Sequence, residues 1–504
     1  MDYESIPAPG DRLMHGRSSA WYVALLGVLA LVEGCVPSLP QGAVREANEV
    51  MPESYGGERS EANAVGVDWS DFFRDEHLVG LIDEALENNQ ELNIAVQESF
   101  IASYETTARR GEIFPRVGVG VGAGVDRVGL TTSQGASDEM AGLDQNLADF
   151  NFGLYSSWEI DVWGRLRDLA DASARRYLAT IAGRRLIITQ IVAEVASLYY
   201  ELMALDEQLA VVSNSAQLQE DALRVVRLQW QAAQTTSLAV QRFEAELLEF
   251  RSRRFEIQQR IVEAENRINF LVGRYPQPIE RSSDQFMDTE PQAVAVGLPT
   301  DLLLNRPDVR HAELEMEAAQ LDVSAARARF FPALSLEGGV GYQSFDVVRL
   351  LDTPASLIAS IVGNLTAPLF NRTAIEAGYY GADARQRQAV IAYERAILTA
   401  YLEVINRISL VHNLAASYEV REQRVERLRQ SIEISMRLFN SAHANYLEVL
   451  TARRDSLDAQ LQLIETKQRQ MAAAVSLYQA LGGGWRDEPP RRAPDTPGED
   501  GADE

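Results

Sequence analysis

Residues 303–341 read LLNRPDVRHAELEMEAAQLDVSAARARFFPALSLEGGVG, and residues 86–124 read LENNQELNIAVQESFIASYETTARRGEIFPRVGVGVGAG. Aligned without gaps, roughly eleven of about 39 positions are identical, several times chance for unrelated segments. The shared residues include Leu86/Leu303, Asn88/Asn305, Glu98/Glu315, Arg110/Arg327, Phe114-Pro115/Phe331-Pro332 and Gly122/Gly339. Each copy opens with helix formers and passes through Phe-Pro into a glycine-rich alternating run. Proline stops the helix, because it has no N–H to donate and disfavours helical geometry in the residue before it. The residues after each proline have the period of a strand. The chain is therefore a tandem duplication, one architecture in two halves.

After the first Phe-Pro, Val117, Val119, Val121, Ala123 and Val125 alternate with glycines. This is a strand over about 116–126 with one apolar and one minimal face. Residues 126–149 are polar and read as a loop. Phe150, Phe152, Leu154, Ser156, Trp158, Ile160 and Val162 then alternate with polar or small residues, a second strand over about 150–162. The second half gives strands over about 333–345 and 356–369, with Leu334, Leu336, Val340 and Tyr342, then Leu357, Ala359, Ile361, Leu365 and Leu369, on one face. Each has the length of a tilted membrane-crossing strand. Trp158, Trp163, Tyr342, Phe370 and Phe330-Phe331 fall toward the strand ends, where an aromatic girdle sits. This reading turns Leu154 and Ile160 toward lipid, and puts Gly153 and Ser157 on the other face, where an aspartate should be mild. Four strands cannot close a barrel and open edges cannot face lipid. A barrel must therefore be built from several copies of the chain. The competing reading is a soluble β-domain with one buried face; the glycine face and the N-terminal signal described below favour a membrane barrel.

Helical spacing dominates elsewhere. Ile188, Val192, Val195, Tyr199 and Leu202 lead a long helix over 165–233 with coiled-coil spacing, about 100 Å at 1.5 Å per residue. A return helix carries Phe243, Leu247, Phe250, Ile257, Ala264, Ile268 and Leu271, and Gly273 ends it. The second half repeats the plan, with a long helix through Ile397, Val404 and Ile432 and a return through Leu450, Leu457, Ile464, Met471 and Tyr478. The fold class is thus mainly α with a small β part. The first repeat is placed at 67–275, a Pro-rich connection at 276–297, the second repeat at 298–484, and an acidic tail without structure at 485–504.

The formal net charge of −26 argues against a nucleic-acid partner and fits a solvated surface or a carboxylate-lined conduit. Five scattered histidines give no metal-ligand spacing. There is no phosphate-binding glycine loop, dinucleotide fingerprint or nucleophile elbow. No catalytic residue, metal or cofactor is expected.

The single cysteine, Cys35, comes after the apolar run from Trp21 to Val32, itself preceded by His15 and Arg17. This is the shape of a secretory signal peptide over 1–34, with Met14 offering a second start. Val32-Glu33-Gly34-Cys35 resembles a bacterial lipobox, in which the cysteine becomes the lipidated first residue, and Val36 after it favours the outer membrane. Residues 35–66 read as a lipidated tether.

Several stretches together resemble the TolC-like outer-membrane factors of tripartite efflux pumps, in their OprM- and NodT-like lipoprotein branch. They are Asp68-Trp-Ser-Asp-Phe-Phe73, Trp158-Glu-Ile-Asp-Val-Trp-Gly-Arg-Leu-Arg167, Leu298-Pro-Thr-Asp-Leu-Leu-Leu-Asn-Arg-Pro-Asp308, Ala325-Ala-Arg-Ala-Arg-Phe-Phe-Pro332, Pro368-Leu-Phe-Asn371 and Leu477-Tyr-Gln-Ala-Leu-Gly-Gly-Gly-Trp485. The resemblance implies a homotrimer with a 12-stranded outer-membrane barrel above a periplasmic α-helical barrel closed at its tip. It implies a passive duct, with an inner-membrane transporter and a periplasmic adaptor as partners. The adaptor would meet the helix turns at Gln234, Thr235 and Thr236 and at His443, Ala444 and Asn445; many relatives have glycine where this chain has Ala233 and Ala442. Glu448 matches an acidic gate position, Thr451 falls where relatives often have aspartate, and Arg454 matches a basic neighbour. The alternative, a lipid-anchored periplasmic coiled-coil adaptor or scaffold, needs no amphipathic strands.

Overall fold

A computed structural model describes residues 36–40, 42–55, 68–370, 372–441 and 446–485. Cys35, the expected signal peptide, the expected adaptor contacts His443, Ala444 and Asn445, and the acidic tail beyond Trp485 lie outside the described residues. The described elements run in two matching series. The first is α1 (Trp69–Phe72), α2 (Glu76–Asn88), α3 (Gln90–Gly111), β1 (Arg116–Arg127), α4 (Ser133–Met140), β2 (Asn146–Ile160), α5 (Arg165–Gln231) and α6 (Ser237–Leu271). The second is α7 (Asp301–Asn305), α8 (Pro307–Ala328), β3 (Ala333–Ser344), β4 (Leu357–Thr366), α9 (Thr373–Asn440) and α10 (Tyr446–Ala480). The duplication shows in the lengths: 22 residues each for α3 and α8, 67 and 68 for α5 and α9, and 35 each for α6 and α10.

The chain divides into two units. The first takes residues 101–177 and 314–391 with the segment up to Glu46; the second takes 47–100, 178–313 and 392 onward. The first unit holds one antiparallel sheet in the order β1-β2-β3-β4. Its register decides the faces. Val119 lies opposite Leu154, Leu154 opposite Val340, and Val340 opposite Ala359. The same row logic puts Val117, Val121, Val125, Phe152, Trp158, Ile160, Leu334, Leu336, Ile361 and Leu365 on one face, since directly paired residues share a face. The only charged residue on that face is Arg127, at the end of β1. The opposite face carries most of the glycines, Asn151, Tyr155, Ser157, Ser360 and Asn364, with Arg116, Asp126, Asp149, Glu159 and Glu337 and the apolar Leu147, Ile358 and Val362. The apolar face is exposed: Val121 is 80% and Ile361 77% accessible. The outer edges of β1 and β4 pair with no strand among the described residues.

The glycine face is filled from β2. A Cβ on Gly120 would stand 2.6 Å from the Tyr155 ring, and one on Gly122 2.7 Å from the Asn151 amide. The expectation that an aspartate at Gly153 would be mild is overturned. A Cβ there would meet the Val340 carbonyl oxygen at 2.7 Å and the Gly341 Cα at 2.9 Å. Gly153 and Gly341 let the β2 and β3 backbones approach, so any side chain disturbs the sheet. Two other readings are corrected. The stretch 126–149 contains a helix, α4, whose first turn is capped where the Thr132 hydroxyl accepts the Gly135 amide at 3.1 Å. Phe330 is not in an aromatic girdle; it is 3% exposed and packs edge-on against Tyr379 at 5.6 Å.

The described residues of 36–55 form no helix or strand, as a tether would, yet they are fastened along the segment. In the first unit Val36, Leu39 and Val44 pack on the Phe330–Tyr379 cluster, and Gln386 donates to the Arg45 carbonyl at 2.8 Å. In the second unit Tyr393 donates to Glu49 at 3.2 Å, and Tyr55 stacks on Tyr401 at 5.6 Å.

The second unit is a helical core. Phe243, Phe250, Ile257, Ala264 and Leu271 on α6 recur every seventh residue, and so do Leu450, Leu457, Ile464, Met471 and Tyr478 on α10; all ten are buried. A strict seven-residue stripe keeps one seam against its neighbour and supercoils left-handedly. It packs against Ile188, Val192, Val195, Tyr199 and Leu202 of α5. Each return helix ends in the same way, with a left-handed glycine (Gly273 at φ 77°, Gly482 at φ 92°). Each end is locked to the break between two helices. Asn89 Nδ2 donates to the Leu271 carbonyl at 2.7 Å, and Arg306 Nη1 to the Ala480 carbonyl at 2.8 Å.

Candidate functional site

The positions singled out at the helix turns and on α10 lie in the second unit. The first turn is a tight C-terminal cap. Gln234 N–H donates to the Gln229 carbonyl at 2.8 Å and Ala233 N–H to that of Trp230 at 2.9 Å, the paired 6→1 and 5→2 bonds of a Schellman motif. That motif needs a left-handed residue at its C′ position, and Ala233 occupies it at φ 59°. Thr236 then starts α6: its hydroxyl accepts the Ala239 amide at 3.3 Å. Gln234 and Thr235 stand between the two caps, and Gln234 is exposed.

Ala233 is the only described non-glycine residue with positive φ. The left-handed region costs an L-residue with a Cβ about 1–2 kcal/mol. Ala233→Gly is therefore expected to stabilise the hairpin by about 1 kcal/mol, and Ala233→Val to destabilise it by more, because branching worsens the clash. Hydrogen exchange of the Gln234 and Ala239 amides would check this; equal protection in all three proteins would remove the strain argument.

Below the turn, Leu223 and Val226 of α5, Val240, Phe243 and Leu247 of α6 and Leu450 of α10 form one apolar cluster. That burial fixes the rotation of α10. Val449 and Leu450 turn inward, so Glu448, in the first turn of the helix, is exposed. Thr451 is half-buried. Arg454 lies 3.5 Å from Asp455, and its charge also acts on Glu246 of α6. Burial raises the Glu246 pKa, and the nearby arginines only partly offset this. Arg253 continues the seam, 2.7 Å from Asp458. Within one chain no described cation lies within ion-pair distance of Glu448.

Arg453, with Arg454 the nearest candidate in the sequence to offset the Glu448 charge, is engaged elsewhere within the chain. It donates to the Leu218 carbonyl of α5 at 3.0 Å and lies 3.9 Å from the Met436 sulfur of α9. Burial pulls its pKa below the ordinary guanidinium value. Its signal was legible: it stands three residues after Leu450 and four before Leu457, the second seam position of the heptad, where an apolar residue is the norm. Arg453 thus ties α10 to two other helices through a carbonyl and a thioether rather than a carboxylate. Among the described residues no group of three or more His, Cys, Asp or Glu side chains could hold a metal.

The family model described as "Outer membrane efflux protein" matches residues 81–274 and 298–483, one match in each repeat. The solvent efflux pump outer membrane protein SrpC of Pseudomonas putida is 29% identical over 469 residues, spanning 91% of this chain and 97% of its own length. The cation efflux system protein CusC of Escherichia coli is 29% identical over 430 residues, spanning 84% and 90%. A membrane protein from Pseudomonas aeruginosa, solved by crystallography, superposes with a TM-score of 0.81 at 26% identity, covering 88% of this chain and 97% of its own.

Proposed function

Because the chain belongs to the outer membrane efflux protein family, we propose that three copies of it close into one outer-membrane barrel and serve as the exit duct for a periplasmic adaptor and an inner-membrane transporter. The protein is an outer-membrane efflux channel, and its relatives are transport proteins rather than enzymes. The observation that carries the trimeric reading is the sheet: one face almost free of charge, one polar and glycine-rich, and two unpaired edges. Lipid tolerates the first face, a water-filled lumen the second, and neither tolerates the edges. Three four-stranded sheets joined edge to edge give twelve strands and no edge. A periplasmic scaffold has no use for such a face.

Cys35 is the lipid attachment point, and the fastened segment 36–55 comes directly after it. Cys35→Ser should end incorporation of radiolabelled fatty acid; continued labelling would remove the anchor. The turns at Gln234, Thr235 and Thr236 and at His443, Ala444 and Asn445 are the adaptor contacts. Glu448, Thr451 and Arg454 form the periplasmic gate. Three-fold symmetry would bring three exposed Glu448 carboxylates toward one axis, a ring that repels itself and favours cations. Opening would shift packed helices slightly, biased by an adaptor that binds the open state better.

In planar bilayers the purified channel should rest at low conductance with cation preference. Glu448→Gln should lower that preference several-fold, and Arg454→Ala should raise conductance by loosening the closed state. Conductance from monomers alone would sink the trimeric barrel. Unchanged selectivity and conductance in both variants would sink only the gate.

A further inference from the structure

At the helix-side end of the sheet lies a cavity of about 360 Å³. One part of its lining is apolar, from Ile160, Val162, Phe331 and Pro368; another is polar, from Arg329 and Thr366. Its two acids are already neutralised. Arg165 grips both oxygens of Glu159 at 2.8 Å. Asp161 accepts from Arg167 at 3.2 Å and from the Leu166 and Arg167 amides at 3.1 and 3.0 Å. That leaves Arg329, exposed, with no carboxylate among the described residues within ion-pair distance. Beside it Trp163 stacks on Phe331 at 4.7 Å, and its indole N–H donates to the Pro332 carbonyl at 2.8 Å. A fixed aromatic step of this kind suits the level where hydrocarbon gives way to headgroups. Val162, 53% exposed, continues the apolar row of β2 past its last residue, and Leu365 lies in the same face two strands away.

We propose that this cavity is a phospholipid site, with the phosphodiester on the Arg329 guanidinium and an acyl chain laid along Ile160 and Val162. A guanidinium presents a planar fork that matches phosphate oxygens, and burial of the chain end adds an apolar contribution that a free phosphate cannot make. The occupant is a lipid because the cavity is continuous with the apolar wall and carries one unpaired cation. The inference rests on the outward orientation of that wall.

The test is native mass spectrometry of the purified channel in detergent with added dioleoyl phosphatidylglycerol. The wild type should retain the lipid. Arg329→Gln should lower its occupancy about tenfold and Arg329→Lys by less, since lysine keeps the charge and loses the fork. Millimolar inorganic phosphate should not displace it. Equal retention by wild type and Arg329→Gln would overturn the site, as would full displacement by phosphate, which would mark an anion site without a lipid. A bimane label on Ile361→Cys, read for quenching by brominated lipid, separates the two levels. Strong quenching with an indifferent Arg329→Gln overturns the headgroup site alone. Absent quenching overturns the outward wall, and the site with it.

Discussion

Arginine at Leu154 is expected to abolish stable assembly of the channel in the outer membrane, while arginine at Ser360 is expected to leave it close to wild type. Leu154 lies mid-strand in β2, opposite Val119 on one side and Val340 on the other. It is half exposed in the single chain, and every directly paired neighbour in its row is apolar. A charged lysine or arginine at the midplane of a lipid-facing barrel wall costs about 2–4 kcal/mol, and three copies each carry that cost. Ser360 belongs to the opposite face, paired with Gly339, and is open to water if that face lines the lumen. Heat-modifiable trimer on gels and the outer-membrane fraction of each variant would measure the difference. The reverse ranking would mean that the faces are swapped, and equal loss in both would overturn the face assignment or the barrel itself. Gly153→Asp cannot serve as the mild control. It should also fail, through the backbone contact with Val340 and Gly341 rather than through lipid.

Most of the architecture was legible because its signals are periodic. The alternation Val117–Val125 and Phe150–Ile160 needed only period two, and the observed register joins those rows across four strands as the pattern implies. The two strict heptads, from Phe243 to Leu271 and from Leu450 to Tyr478, are visible by counting. The features that stayed hidden depend on neighbours distant in sequence. Nothing near Gly153 says that its partner across the ladder is Gly341, so a glycine that the sheet needs looked like one that merely lines it. Helix α4 was missed because Ser133–Met140 is short and polar and is held by one threonine cap. Among the candidate gate residues, sequence could place Glu448 after a turn but could not tell that Arg454 pairs with Asp455, or that Arg453 turns inward to Leu218. Burial of Leu450 sets that rotation, and it takes three helices to bury it.

Replacing Arg306 with methionine should destabilise the second unit by about 3 kcal/mol, at the low end of the 3–5 kcal/mol expected for stripping one partner from a buried ion pair. Arg306 is 7% exposed. Its Nε and Nη2 donate to the two Asp308 oxygens at 2.9 and 2.7 Å, and its Nη1 reaches the Ala480 carbonyl at 2.8 Å and Glu403 at 2.8 Å. One side chain thereby joins the break between α7 and α8 to the last residue of α10, beside the left-handed turn at Gly482. Burial works against the guanidinium charge, but Asp308 and Glu403 more than offset it, and the pKa stands above its ordinary value. Methionine keeps much of the volume and removes every donor. The Asp308 carboxylate and the Ala480 carbonyl are then left to whatever water reaches them. The Glu403 side chain is 46% exposed and relieves itself in solvent, which sets the low end. The first repeat supplies the comparison. There Asn89, a neutral amide, holds the Leu271 carbonyl at the matching place and caps α3 by accepting the Leu92 amide at 3.0 Å, and Asn89→Ala should cost about 2 kcal/mol. Arg306→Lys should fall between, because an ammonium can serve Asp308 or Ala480 but not both in the planar geometry the fork allows. Guanidinium unfolding of the three variants followed by tryptophan fluorescence would rank them. If Arg306→Met lost no more than Asn89→Ala, the second lock would owe nothing to charge, and packing around Tyr478 and Gly482 would have to hold the end of α10 instead.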